Sequence, residues 1–186
     1  MKFPIPVLLG VAYGLSEVGL GLLKRSRDAS VDADDSSLRV LWITIVLAVT
    51  AGILVSSRAP GAAIANRAVF WTGCALFGLG LALRWYSIVY LGRFFTVNVA
   101  IHSGHEVIDT GPYRLIRHPS YTGALLAFLG LALCMANWWS LALVMVPILW
   151  AFGRRMSIEE SALASALGAP YTQYMSRTKR LAPFIY

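Results

Sequence analysis

The densest run of chemistry-bearing side chains lies between His105 and Gly123. It reads His-Glu-Val-Ile-Asp-Thr-Gly-Pro-Tyr-Arg-Leu-Ile-Arg-His-Pro-Ser-Tyr-Thr-Gly. Gly111-Pro112 is a turn signal. Pro119 holds His118 extended and suits the first position of a helix. Tyr113, His118 and Tyr121 then gather at a helix N-terminus, whose free N–H groups and partial positive charge suit a carboxylate or phosphate of a ligand. An interfacial turn anchored by aromatics and arginine is the structural alternative.

A second cluster is Arg154-Arg155-Met-Ser-Ile-Glu159-Glu160. Arg155 and Glu159 are four apart and share a helix face. They form an ion pair, or a charged pair that meets the His118 turn. Ser157 and Glu160 read as a capping box, which predicts that a new helix starts there. Gly168 and Pro170 end a helix, and Tyr171 and Tyr174 open a short segment after it. Two ionisable residues, Glu17 and Arg84, fall inside apolar stretches. Such residues are costly in a membrane and are functional candidates by default. Arg84 either snorkels to the near interface or serves a site. Glu17 pairs with it or stays protonated, and a structural role is the favoured reading. His102 and His105, with Glu106, lack a metal-motif spacing and a thiolate partner, so no metal site is expected. The chain has no Gly-x-Gly-x-x-Gly, phosphate loop or serine elbow. Any cofactor must therefore be held by loops against helix ends.

The elements that position these residues follow from composition. Of 186 residues, 58% are hydrophobic and 13% charged, whereas soluble domains run near 45–50% and 25%. This excludes a soluble globular domain and a disordered chain. Two cysteines exclude a disulfide scaffold. Crossing the hydrocarbon takes about 20 apolar residues, and 3–23, 38–57 and 68–91 qualify. The apolar region 122–153 is interrupted at Asn137-Trp138-Trp139. It reads as two helices of roughly 15 residues, each about 23 Å long, with one long helix through Asn137 as the alternative. The N-terminal stretch reads as a first helix rather than a signal peptide. Gly10 and Gly14 permit close helix packing.

The expectation is a single all-α, integral membrane domain. It has about five transmembrane helices, at 3–23, 38–57, 68–91, 122–136 and 138–153, the last two a short hairpin. Segments 92–121 and 154–186 are a cytoplasmic cofactor-binding loop and a C-terminal helical segment. The stretch 24–37 reads as a polar, mobile connector. With this plan one side holds Lys24, Arg25, Arg27, Arg39, Arg93, Arg114, Arg117, Arg154, Arg155, Arg177, Lys179 and Arg180, and the other only Lys2, Arg58 and Arg67. That asymmetry predicts the N-terminus outside and the C-terminus in the cytoplasm. The membrane is a bacterial inner membrane or the endoplasmic reticulum. The net charge of +7 thus reflects topology rather than nucleic acid binding.

These segments, in this order, resemble the isoprenylcysteine carboxyl methyltransferase family of integral membrane enzymes. The pieces are Arg84 with Leu91-Gly92, His105-x-Val-Ile-Asp-Thr-Gly-Pro-Tyr113, Arg117-His-Pro-Ser-Tyr-x-Gly123, Arg155-x-x-x-Glu159-Glu160-x-x-Leu163 and Gly168-x-x-Tyr171-x-x-Tyr174. They cover the chain from about Leu83 onward. The resemblance implies S-adenosylmethionine as methyl donor. It assigns donor contacts to Asn98, His105, Glu106, Val107, Ile108, Tyr113, His118, Pro119, Ser120, Tyr121 and Glu159. It places Arg155 and Arg84 toward the methyl acceptor, with Arg84, Arg155 and Glu159 as the catalytic set.

The residues suit that chemistry. Methyl transfer from a sulfonium is an in-line displacement, which alignment accelerates. A carboxylate acceptor is ionised at pH 7 and needs a cation, best an arginine, to hold it. Glu159 binds the donor or orients Arg155. The acceptor implied by the family is the carboxylate of a prenylated cysteine. A phenolic or pyrone lipid or a lipid amine is the alternative, and a phenol would call on His118 or Glu159 as base. Two other functions compete. The Arg-His-Pro block and the Arg-Leu-Ala-Pro-Phe-Ile-Tyr ending also resemble NADPH-dependent sterol reductases. A transporter or scaffold would explain the helices but leave the ordered motifs idle.

Overall fold

The computed structural model describes residues 4–24, 32–95 and 107–183. Within them lie α1 (Pro4–Lys24), α2 (Asp32–Arg58), α3 (Arg67–Leu91), α4 (Pro119–Cys134), α5 (Trp138–Leu167) and α6 (Ala169–Arg177). Short 3-10 turns occur at Pro60–Ala62, Gly92–Phe94 and Gly111–Arg114. By length and composition α1, α2, α3 and α5 can each cross a membrane, and α4 is a shorter apolar helix. The expected all-helical plan of five apolar helices is present.

Three boundaries differ from expectation. α2 starts at Asp32, so 32–37 is helix rather than connector. α4 starts at Pro119 with His118 preceding it, as the His-Pro step predicts and three residues before the bound of 122 set by the apolar span. α5 is not the short second arm of a hairpin. It runs unbroken for 30 residues, about 45 Å at 1.5 Å per residue. The helix start expected at Ser157 is absent, because Ser157 Oγ bonds back to Gly153 O at 3.1 Å as in a helix interior. The stop comes only at Gly168, whose φ of 62° suits glycine. α4, at 16 residues, is only about 24 Å long. The C-terminal half of α5 therefore rises past the start of α4, and α6 folds against that overhang.

The break at Asn137 is a cap. Its side-chain oxygen accepts from Ser140 N at 3.1 Å, and Nδ2 donates to Ala59 O at 2.9 Å. Ile64 N also donates to Ala136 O at 2.7 Å. One buried side chain thus starts α5 and ties it to the α2–α3 turn, and a helix running through Asn137 is excluded.

Each outer helix buries one stripe. α1 turns Tyr13, Glu17 and Leu20 inward and leaves Leu8, Val11, Leu15, Val18 and Leu22 exposed, the pattern of a lipid-facing helix at 3.6-residue period. α2 turns Leu41, Ile45 and Ala48 inward. α4 is buried nearly all round and forms the centre. Its contact with α3 is backbone to backbone. A Cβ on Gly80 would fall 2.4 Å from Ala127 N, one on Gly130 2.4 Å from Phe77 N, and one on Gly123 2.5 Å from Arg84 N. Gly73, Gly80, Gly123 and Gly130 form this crossing. The anticipated pair does not: a Cβ on Gly10 meets only Val49, and one on Gly14 meets nothing within 4 Å. The crossing fixes Arg84 of α3 beside the first turn of α4.

Candidate active site

The ends of α1 and α3, the starts of α2 and α4 and the overhang of α5 enclose a cavity of about 1240 Å³, counted out to its open mouth. Its lining is of two chemical kinds. Glu17, Arg84, Tyr113, His118, Ser120, Tyr121, Arg155 and Glu159 supply polar groups. Leu38, Leu41, Trp42 and Ile45 of α2, with Phe94, Phe95, Leu163 and Leu167, supply apolar surface. An amphipathic molecule with a charged head and an apolar body matches such a lining.

Arg84 does not snorkel. It is 7% exposed, and its fork is spent inside the protein. Nε and Nη2 hold the two oxygens of Glu17 at 2.5 and 2.7 Å, and Nη1 donates to Ser120 Oγ at 3.1 Å. A guanidinium is tolerated at that depth only with a paired carboxylate and filled hydrogen bonds. Of the two roles open to Glu17, the structure shows the ion pair.

Arg155 and Glu159, one turn apart on α5, both face the cavity. Arg155 is buried, and its Nη1 donates to Ser37 Oγ at 2.8 Å. Ser37 belongs to the stretch read as a connector, yet it is 3% exposed and anchors this arginine. Half-buried Glu159 accepts from the Tyr121 hydroxyl at 2.7 Å. The Tyr121 ring lies nearly parallel to His118, with centroids 5.4 Å apart. A carboxylate with an aromatic pair beside it can take the ammonium or hydroxyls and the flat base of a nucleoside.

Glu160 is one residue on, and 100° around the helix turns it away from the cavity. It accepts from Arg117 Nε at 2.8 Å and from Arg180 Nη2 at 2.7 Å, and its Oε1 lies 3.1 Å from His118 Nε2. The backbone completes the staple: Arg117 N donates to Lys179 O at 2.7 Å and His118 N to Arg180 O at 3.0 Å. Thr122 Oγ1 donates to Leu181 O at 2.8 Å. The C-terminal strip is thereby pinned along the start of α4, closing the floor under His118. Above it, the Tyr174 hydroxyl donates to Tyr113 O at 2.7 Å, and the Tyr113 hydroxyl to Ser87 O at 3.2 Å. Burial, reinforced by Glu159, pushes the Tyr113 phenol above its ordinary range, so it stays a donor.

Of the residues singled out from sequence, Arg84, Val107, Ile108, Tyr113, His118, Ser120, Tyr121, Arg155 and Glu159 share this one cavity. Pro119 is buried at the start of α4 behind them. Asn98, His102, His105 and Glu106 lie outside the described residues. The sequence reading missed Tyr13, Ser37 and the apolar lining other than Leu163, which it quoted only within the family motif. Tyr13 on α1 and the inward residues of α2 give little signal, because an amphipathic period is weak where both faces are apolar.

Residues 68–169 match the model of the phospholipid methyltransferase family. The protein-S-isoprenylcysteine O-methyltransferase B of Arabidopsis thaliana is 31% identical over 116 residues, covering 61% of this chain and 58% of that protein. The protein-S-isoprenylcysteine O-methyltransferase of Schizosaccharomyces pombe is 34% identical over 110 residues, covering 58% and 46%. The solved eukaryotic intramembrane Ras methyltransferase, an isoprenylcysteine carboxyl methyltransferase, superposes with a TM-score of 0.65 at 27% identity, over 77% of this chain and 52% of that one. The chain spans about half the length of these relatives. The matched segments contain Arg84, the His118 turn, Arg155 and Glu159, and the shared architecture is that of an integral membrane protein. The chain belongs to the phospholipid methyltransferase family.

Proposed function

We propose that this protein is a membrane methyltransferase that moves a methyl group from S-adenosylmethionine to the carboxylate of a lipophilic acceptor such as a prenylated cysteine. The observation that carries the reading is one cavity lined both by Arg155 and Glu159 of α5 and by the apolar residues Leu38, Leu41, Trp42 and Ile45 of α2. Its polar lining fits the donor: the Glu159 carboxylate suits an ammonium or ribose, and the His118–Tyr121 pair suits an adenine. Val107, Ile108, Tyr113, Ser120 and the start of α4 complete that cradle, and the family resemblance adds Asn98, His105 and Glu106. The donor supplies a sulfonium methyl, so that a carbon–sulfur bond breaks, a carbon–oxygen bond forms and a neutral thioether leaves.

The protein's own work is alignment and charge. A carboxylate acceptor is already ionised at pH 7, so no base is required. Arg155, bonded to Ser37, sets its oxygen, and Arg84 lines the same cavity. Cavity walls that exclude water strengthen every such contact. Tyr13 on α1 and Leu41 and Ile45 on α2 line the cavity where those helices touch only sparingly, which supports sideways access for a lipid tail. The basic residues gather at the cavity end, which supports a cytoplasmic site with the N-terminus outside. The membrane is a bacterial inner membrane or the endoplasmic reticulum.

Calorimetry with S-adenosylhomocysteine, and separately with NADPH, tests the reading. Saturable binding of the former, lost in Glu159→Ala, is expected, with methyl incorporation into a small farnesylated cysteine. Arg155→Ala is expected to abolish transfer while the sample stays folded. Binding of NADPH alone would overturn the assignment.

A further inference from the structure

Glu17 is the only acidic residue of α1, and it sits on Arg84 as a bound carboxylic acid would. Both its oxygens are engaged, at 2.5 and 2.7 Å, in the two-pronged grip a guanidinium offers a carboxylate. The remaining terminal nitrogen is on Ser120. Glu17, Arg84 and Ser120 all line the cavity, so the fork that faces it is already filled by an internal anion.

The two partners are held differently. Arg84 stands at the α3–α4 crossing, where a Cβ on Gly123 would fall 2.5 Å from its backbone nitrogen. Glu17 rides on α1, whose outer stripe is bare. Apart from this pair, a side-chain hydrogen bond from Trp85 to Ser16, at 2.8 Å, ties α1 to α3. α1 packs on α4 through Tyr13 against Phe128, with ring centroids 4.5 Å apart, so a turn of the Glu17 side chain or of α1 would withdraw Glu17 while Arg84 stays in place. Charge fixes the order of events. A buried guanidinium must keep a carboxylate partner, and two carboxylates on one guanidinium repel. An acceptor carboxylate therefore reaches Arg84 by replacing Glu17.

We propose that Glu17 is a stand-in for the acceptor: it occupies the carboxylate seat of Arg84 in the resting pocket, and acceptor binding exchanges one carboxylate for the other. Glu17 thereby keeps the empty pocket charge-paired and sets how tightly a carboxylate acceptor binds. This rests on the carboxylate-methylating reading above.

The test uses the full-length protein in nanodiscs and variants Glu17→Gln and Glu17→Asp. S-adenosylhomocysteine binding is measured first. Its absence in the wild type would sink the methyltransferase reading itself, independently of the carboxylate exchange. For a small farnesylated cysteine, Glu17→Gln is expected to lower KM about tenfold, equal to about 1.4 kcal/mol, with kcat changed less than about threefold. Glu17→Asp, which keeps the charge on a shorter arm, is expected to fall between. The inhibition constant of the matching uncharged carboxamide should not move. A KM that is unchanged or raised in Glu17→Gln, or an equal shift for acid and amide, overturns the proposal. Should both variants lose S-adenosylhomocysteine binding, the wild type decides. A preference for the acid over the amide of less than about tenfold supports exchange, and a larger preference, above about 1.4 kcal/mol, overturns it.

Discussion

Removing the Glu160 carboxylate tests how much this buried side chain adds to the backbone bonds that hold the C-terminal strip under the cavity. Glu160 is 3% exposed and takes Arg117 Nε, Arg180 Nε and Arg180 Nη2, with His118 Nε2 beside it. Hydrogen bonds to charged groups contribute about 1.5–3 kcal/mol each, but burying the carboxylate reverses much of that. Breaking a buried pair costs about 3–5 kcal/mol net. Arg180 keeps 27% side-chain exposure and Arg117 10%, so water relieves Arg180 first and most of the loss falls on Arg117 and His118. At roughly 2–4 °C per kcal/mol for a chain of this size, Glu160→Ala is expected to lower Tm by about 6–20 °C. Glu160→Gln keeps one oxygen but turns an N–H toward a guanidinium, recovering at most about 1–2 kcal/mol. The assay is thermal unfolding in detergent, paired with limited proteolysis after Arg177, Lys179 and Arg180. Arg177→Ala is the control. Its partner Asp109 is 40% exposed and Arg177 itself 61%, and exposed pairs contribute little, so Tm should move by less than about 2 °C. A Glu160→Ala protein that melts within about 2 °C of the wild type, with the strip still protected, refutes the staple.

Gly123→Val is expected to abolish folding, read as loss of the monodisperse peak in detergent, because its branched carbon meets the Arg84 backbone rather than a yielding side chain. Asn137→Ala removes the cap of α5 and the bond to Ala59 O, and should cost about 1–3 kcal/mol in chemical unfolding without changing S-adenosylhomocysteine affinity. Ser157→Ala should change stability by less than about 0.5 kcal/mol, since α5 runs straight through it. A loss above about 1 kcal/mol would restore the capping role. Ser37→Ala removes the hydrogen bond from Arg155 Nη1 and loosens the fork, so acceptor KM should rise severalfold while S-adenosylhomocysteine binding holds.

What the sequence disclosed were residues out of place. An arginine in an apolar helix, a His-Pro step before an apolar run and a tight Gly-Pro turn each signal by type alone; Arg84 and His118 line the cavity, and Tyr113, which follows the turn, lines it too. Partners do not signal that way. Ser37 looks like any connector serine until α2 is seen to start at Asp32. The α3–α4 crossing uses glycines seven apart, on one face after two turns, while the more familiar four-residue spacing at Gly10 and Gly14 packs against little. The capping-box pattern at Ser157 misled because Ser-x-x-Glu also occurs in helix interiors, where the hydroxyl bonds backward instead of forward.

The two adjacent glutamates show how far one residue's difference reaches. Arg155 and Glu159 share a face, so helical spacing assigns Glu159 to the cavity without coordinates. Glu160 follows from the same arithmetic: a 100° turn must carry it off that face. What it meets there depends on how far α5 overhangs α4, and the overhang exists because α5 has 30 residues and α4 has 16. A charged residue past the end of the shorter helix needs partners that no apolar neighbour supplies. The chain provides them from the loop before α4 and from its own C-terminal strip. The short helix, the long helix and the folded-back strip are therefore one device. The mismatch in length opens a cup at the basic end of the bundle, Glu160 closes its base, and Arg155 and Glu159 are left facing its interior.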